Sequence, residues 1–174
     1  MELFDVLDIA GNPTGIVAEK DMPLKNGQYY LGVHAYIYNS DFEFIIQQRA
    51  YNKSFLPGGW DIHLGHVIAG ESSIDGIIRE VREEIGLDLN FNDIHSVKRF
   101  VWDEKYHHIV DIYFIKKEYE LDKLVLQKDE VIAVKKVTDK EMINMVKNMD
   151  YRPERYRNIV INEMQKLGKL YSQL

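Results

Sequence analysis

Residues 65–87 read GHVIAGESSIDGIIREVREEIGL, and this stretch constrains both fold and chemistry. Gly65 is followed after five residues by Glu71, and after seven more by Arg79-Glu80-Val81-Arg82-Glu83-Glu84-Ile85-Gly86-Leu87. On a helical wheel of about 100° per residue with Glu80 at ~0°, Glu83 falls at about 300° and Glu84 at about 40°. The three carboxylates share one face, where their mutual repulsion costs helix stability. A sequence tolerates such crowding where a cation sits against it. Ile74, Ile77, Ile78, Val81 and Ile85 occupy roughly 60° to 160° of the same wheel, an apolar stripe that faces a core. Arg79 stands beside Glu83 at i,i+4 and can hydrogen-bond and orient the carboxylates. Ser72 or Ser73 suits the N-cap and Gly86 the C-cap. Gly76, at about 320°, leaves the carboxylate face bare one turn earlier and predicts clearance for a loop or phosphate that covers it.

Outward from this helix the pattern alternates strands and turns. Leu3–Ile9 and a short strand around 16–18 flank the turn Gly11-Asn12-Pro13-Thr14-Gly15, a hairpin signal. Tyr29–Tyr38 and Phe42–Gln48 read as strands joined at Asn39-Ser40-Asp41, and Pro57-Gly58-Gly59 turns into a strand at Trp60–Leu64. Strands follow near Ile94–Trp102, Ile109–Lys117 and Val131–Val137, then helices from about Asp139 to Asn148 and Pro153 to Tyr171. We expect one domain over 1–174, with the hairpin at about 1–20, the core at about 28–150 and the terminal helix at about 153–171.

Composition narrows the function. The 174 residues suffice for one domain with a proper core. A net charge of −6 leaves no basic surface to grip a phosphate backbone, so no nucleic-acid partner is expected. The absence of cysteine excludes disulfides, thiol catalysis and Cys-based zinc sites, and suits a reducing cytoplasm. No apolar run reaches membrane-spanning length and MELFDVLDIAG carries no signal-peptide pattern. A soluble cytoplasmic monomer or homodimer, with no membrane partner, is the expectation. His107-His108 lacks zinc-motif spacing and reads as surface or substrate-edge, while Trp60 and Trp102 read as core or pocket wall.

The pattern G-x5-E-x7-R-E-U-x-E-E-x-G-U, with Val81 and Leu87 as the bulky apolar U, resembles the Nudix box at every fixed position. Segment 31–72, LGVHAYIYNSDFEFIIQQRAYNKSFLPGGWDIHLGHVIAGES, resembles the Nudix subgroup related to isopentenyl-diphosphate isomerase, which also carries an N-terminal hairpin like DVLDIAGNPTGIVAEKD. The resemblance implies an α/β fold: a Nudix α/β/α sandwich with a mixed central sheet, N-terminal β-hairpin and C-terminal helices. It also implies Mg²⁺, for which Mn²⁺ can substitute, on Glu80, Glu83, Glu84 and the Gly65 carbonyl. Magnesium binds through few carboxylates plus the phosphates of its substrate. The implied reaction is hydrolysis of a diphosphate linkage in a small molecule of nucleotide type by metal-activated water.

Within that resemblance Arg79 orients the carboxylates, and Glu71 supports the loop or a metal water. The general base is a box glutamate or, from a later loop, Glu130. Arg49 and Lys53 stand where family members place substrate-facing cations, and His66 is a phosphate contact. Two alternatives are weighed. An isomerase needs a cysteine just before the opening glycine, where this chain has Leu64, and a histidine where it has Tyr30. A non-catalytic binding module would be expected to lose box glutamates, and none is lost here.

Overall fold

Strand β3 (Tyr30–Tyr38) organises the sheet, because both of its edges and both of its faces are used. The computed structural model describes residues 2–19, 22–103 and 107–171. Residues 1, 20–21, 104–106 and 172–174, which fall within the expected domain span, lie outside the described residues. Before β3 come β1 (Leu3–Leu7) and β2 (Pro13–Glu19), paired antiparallel as a separate two-stranded hairpin. The hairpin is tied to the rest by the Leu7–Tyr29 bridge and by the Ala69 N–H, which donates to the Leu3 carbonyl at 2.7 Å.

After β3 come β4 (Phe44–Arg49), β5 (Trp60–Asp61) and β6 (His63–His66). Then follow α1 (Ser73–Ile85), β7 (Ile94–Trp102), β8 (His108–Lys116), β9 (Val131–Val137), α2 (Asp139–Lys147) and α3 (Glu154–Tyr171). β3 and β8 run parallel in register from Tyr30↔His108 to Tyr38↔Lys116, and the other strand pairs are antiparallel. The sheet is therefore mixed. β3 and β4 pair only near their turn, at Ile37↔Ile45 and Tyr38↔Phe44. Beyond that point β5 pairs with β4 and β6 with β3, so one chain segment fills the opening between two diverging strands. This divides the expected Trp60–Leu64 strand at Ile62, where the segment changes partner.

The period of two along β3 assigns the layers. Val33, Ala35 and Ile37 pack with Ile77, Val81 and Ile85 of α1, whereas Tyr36 and Tyr38 join Val146, Tyr156, Val160 and Met164 of the C-terminal segment. The architecture is an α/β/α sandwich. Ser72 caps α1 by accepting from the Asp75 N–H, and Gly86 closes it at φ 69°. Ile77, Val81 and Ile85 are fully buried, each contributing roughly 1.5–3 kcal/mol, so packing outweighs the roughly 0.2–0.5 kcal/mol lost per like-charge pair on the opposite face. The expected strand start at Phe42 is corrected to Phe44. Phe42 has φ 58° in a turn whose Asn39 side chain accepts from the N–H groups of Asp41 and Glu43. Among the described residues no helix is long and apolar enough to cross a membrane.

Candidate active site

The box helix lies on one face of the sheet, yet its carboxylates line a cleft on the other side of β6. Gly65 makes this possible. A Cβ there would stand 2.0 Å from Cδ of Glu80, so the Glu80 side chain occupies the space that any other residue would fill. The Glu80 carboxylate accepts from the His66 N–H at 3.3 Å. Gly76 serves the loop, not the cleft: its missing Cβ would meet Val67 at 3.0 Å and the Glu71 carboxylate at 3.2 Å.

Arg79 is the hub. Its Nε and Nη2 donate to the two oxygens of Glu71 at 2.9 and 3.0 Å, a bidentate pair. Nη1 donates to Glu80 at 3.0 Å and to Glu83 at 3.1 Å, and Nη2 also donates to the His66 carbonyl at 2.9 Å. One guanidinium thus fixes Glu71, two carboxylates of the helix face and the loop that opens the box. The bond to Glu71 raises the Arg79 pKa further, so the charge is permanent. Glu71 in turn accepts from the Ile68 N–H at 3.2 Å.

Glu84 is different. It is buried, and its Oε2 has no hydrogen-bond partner among the described residues. His63 Nδ1 stands 3.6 Å away, beyond a hydrogen bond, and is itself unpartnered. A buried carboxylate oxygen without a donor is costly unless a cation or proton meets it. Burial, reinforced by Glu84 and Glu83 against the pull of Arg79, pushes Glu80 up to about 7. The donor set is oxygen-only, hard and crowded, which suits a divalent cation such as Mg²⁺. Among the described residues no three acidic or imidazole groups are gathered closely enough to hold a metal ion by themselves.

The cleft encloses about 930 Å³ and runs past Gly65, Glu80, Glu83 and Glu84. Arg49, Lys53, His66 and Glu130 all line it, while Arg79 and Glu71 hold its edge from behind. Lys53 is ion-paired with Glu130, and the Arg49 Nε donates to the Phe55 carbonyl at 2.9 Å. The Gln127 N–H donates to the Glu84 carbonyl, which places the Glu130 loop against the end of α1. His66 and His108 bring their Nε2 atoms within 3.0 Å of each other, so His108 stands at the cleft edge. Trp102 lines the cleft; Trp60 packs against the core with Lys135 over its ring. Leu64 and Tyr30 also face the cleft, at the two positions that set this chain apart from an isomerase.

Sequence reading missed a second group. His34 of β3, Asp61 of β5 and Arg152 just before α3 meet on the cleft floor, all buried. Arg152 Nη2 donates to both Asp61 oxygens at 2.9 and 3.0 Å, and Nη1 lies 3.2 Å from His34 Nδ1. One signal was available: Gly32, His34 and Tyr36 interrupt an apolar strand at every second residue, marking a face that is not plain core.

With the geometry in place, comparison with known proteins is direct. The NUDIX domain model matches residues 28–157, about three quarters of the chain. An uncharacterised Nudix hydrolase of Listeria monocytogenes is 29% identical over 163 residues, spanning 93% of this chain and 95% of that one. The isopentenyl-diphosphate Delta-isomerase of Corynebacterium glutamicum is 30% identical over 99 residues, 56% of this chain and 52% of that enzyme. The crystal structure of a MutT protein from Methanosarcina mazei aligns at TM-score 0.59 and 25% identity, over 81% of this chain and 96% of that one. The chain belongs to the Nudix family and is a Nudix hydrolase.

Proposed function

We propose that this hydrolase cleaves a diphosphate linkage in a nucleotide-type small molecule, in the cytoplasm, with Mg²⁺ as cofactor and Mn²⁺ as substitute. One observation carries the reading: the donorless, buried Glu84 oxygen beside a Glu80 whose side chain needs a glycine beneath it. That combination costs stability and has a purpose only if a cation completes it. Glu80, Glu83, Glu84 and the Gly65 carbonyl would hold the metal. When bound, it neutralises phosphate charge and acidifies a water for attack on phosphorus.

The chain's own residues do the rest. Arg79 fixes Glu71, Glu80 and Glu83 in one plane of hydrogen bonds, so the carboxylates need no rearrangement when substrate arrives. Lys53, Arg49 and His66 line the cleft where the substrate's negative charge lies. The base that takes the proton of the attacking water is a box glutamate or Glu130, which lines the cleft ion-paired with Lys53. Leu64 lines the cleft where an isomerase carries its proton-transferring thiol, and an aliphatic side chain transfers no proton to carbon.

The test is a panel of nucleoside di- and triphosphates, nucleotide sugars, dinucleoside polyphosphates and isoprenoid diphosphates, assayed with Mg²⁺, with Mn²⁺ and with excess EDTA. Release of phosphate or monophosphate from at least one compound, abolished by EDTA, supports the reading. Turnover that survives EDTA, or interconversion of isopentenyl and dimethylallyl diphosphate, contradicts it.

A further inference from the structure

The cleft has a further wall of which the hydrolytic machinery uses only Arg49. Arg49 lies over the Phe55 ring at 5.7 Å, Phe55 meets Tyr151 edge-on at 5.3 Å, and Arg152 lies over Tyr151 at 5.4 Å. Arg152 reaches His34 at 3.2 Å. These five side chains form one contiguous surface, and all of them line the cleft. Phe55 is 40% exposed, an aromatic face held open to solvent within a binding cleft.

One polar group of this wall is a donor without a partner: the Arg152 Nε N–H is buried with no acceptor among the described residues, while Asp61, both of whose oxygens accept from Nη2, neutralises the Arg152 charge. His34 Nδ1 lies 2.7 Å from the Tyr156 hydroxyl, and Arg152 Nη1 lies against the ring, 3.2 Å from Nδ1 and 3.4 Å from Nε2. Burial, then the Arg152 charge, holds the His34 pKa well below its usual value, so the ring is neutral. An aromatic face beside the unpartnered Arg152 Nε N–H, with the Arg152 charge matched by Asp61, fits a flat, uncharged ring that carries a carbonyl acceptor.

We infer that Phe55, Tyr151, Arg152 and His34 form a subsite for a keto-bearing heterocycle, and that this subsite selects substrates whose base is uracil-like or guanine-like over adenine. The inference rests on the hydrolase reading above for the placement of the diphosphate, but its test does not. Neutral nucleosides need neither metal nor box carboxylates. NMR titrations of uridine, guanosine and adenosine into the whole protein in EDTA measure the subsite alone. Uridine or guanosine should bind at least tenfold more tightly than adenosine, and Phe55→Ala should weaken that binding about tenfold, as loss of a stacking face does. Arg152→Lys should remove the preference among bases; if that variant fails to fold, Phe55→Ala, at an exposed loop position, still decides. No nucleoside binding, equal binding of all three, or binding unchanged in Phe55→Ala overturns the inference. Base-selective binding in a protein that hydrolyses nothing counts against the hydrolase reading only. Metal-dependent turnover with the same KM for every base counts against the subsite only.

Discussion

The carboxylate face of α1 and the Arg152 wall occupy opposite halves of one cleft and are built on opposite principles. The first comes from a single helical turn and a half, and its charges repel: Glu80 is pushed up to about 7, chiefly by burial, and Glu84 keeps an oxygen without a donor. The second is drawn from β3, the β4–β5 loop, β5 and the start of α3, and its central charges are matched at 2.9–3.0 Å. One half stores electrostatic cost that a cation can relieve. The other has its charges already paired, leaving only the Arg152 Nε N–H without an acceptor among the described residues, and it also ties α3 to the sheet. The first half is thus a contiguous motif, while the second is assembled from segments spread along the chain.

From that contrast the largest stability effect is expected at the charge-paired network. Arg152→Met leaves Asp61 buried and unpaired and should cost about 3–5 kcal/mol in chemical denaturation. The double variant with Asp61→Leu should recover most of the loss, since an apolar pair avoids the desolvation of both charges. A double variant no more stable than Arg152→Met would show that the pair is not a closed unit.

Gly65→Ala tests the other half in the opposite sense. The new Cβ meets only the flexible end of Glu80, at 2.0–2.3 Å, so Glu80 can swing aside. Stability should fall by about 1 kcal/mol, at the low end for overpacking, while kcat falls steeply. A variant that loses stability but keeps its turnover would separate Glu80 from the chemistry. Arg79→Lys keeps the charge but loses the fork that binds three carboxylates. We expect kcat to drop about tenfold or more, equivalent to ~1.4 kcal/mol, with little change in melting temperature.

The smallest effect is a pH slope. His34 is buried among Arg152, Tyr156, His66 and His108, and its pKa lies well below that of the unfolded chain. The unfolded state therefore binds more protons below about pH 6.5, so stability falls as pH drops through that value and is flat above it. The His34 contribution cannot exceed about 1.4 kcal/mol per pH unit. His34→Gln should remove that part of the slope in denaturation curves at pH 5 to 7, and an unchanged slope would show that His34 is already protonated.

Legibility in the sequence follows the same division. The apolar stripe of α1, its caps and its carboxylates sit within one window, so helical geometry alone brings Glu80, Glu83 and Glu84 to one face. The layers follow from alternation along β3. The β3–β4 fork does not, because Ile62 changes strand partners without any local signal, and Phe42 looks like a strand residue until Asn39 takes the hydrogen bonds that set the turn. Asp61 and Arg152 are 91 residues apart and their pairing has no sequence period. Phe55 and Tyr151 likewise read as ordinary loop residues until the fold brings their rings together.

A metal site on α1 would be held under electrostatic strain. Thermal melts of wild type and Glu84→Gln, each in EDTA and in Mg²⁺, test it most directly. In EDTA the variant should be as stable as wild type or more so, because one like-charge i,i+4 pair is relieved, roughly 0.2–0.5 kcal/mol. Mg²⁺ should raise the melting temperature of wild type clearly and that of the variant little, since only an ion bound to the native state stabilises it. Turnover of the variant should fall by orders of magnitude. A variant that gains as much from Mg²⁺ as wild type, or keeps near wild-type turnover, would contradict the account.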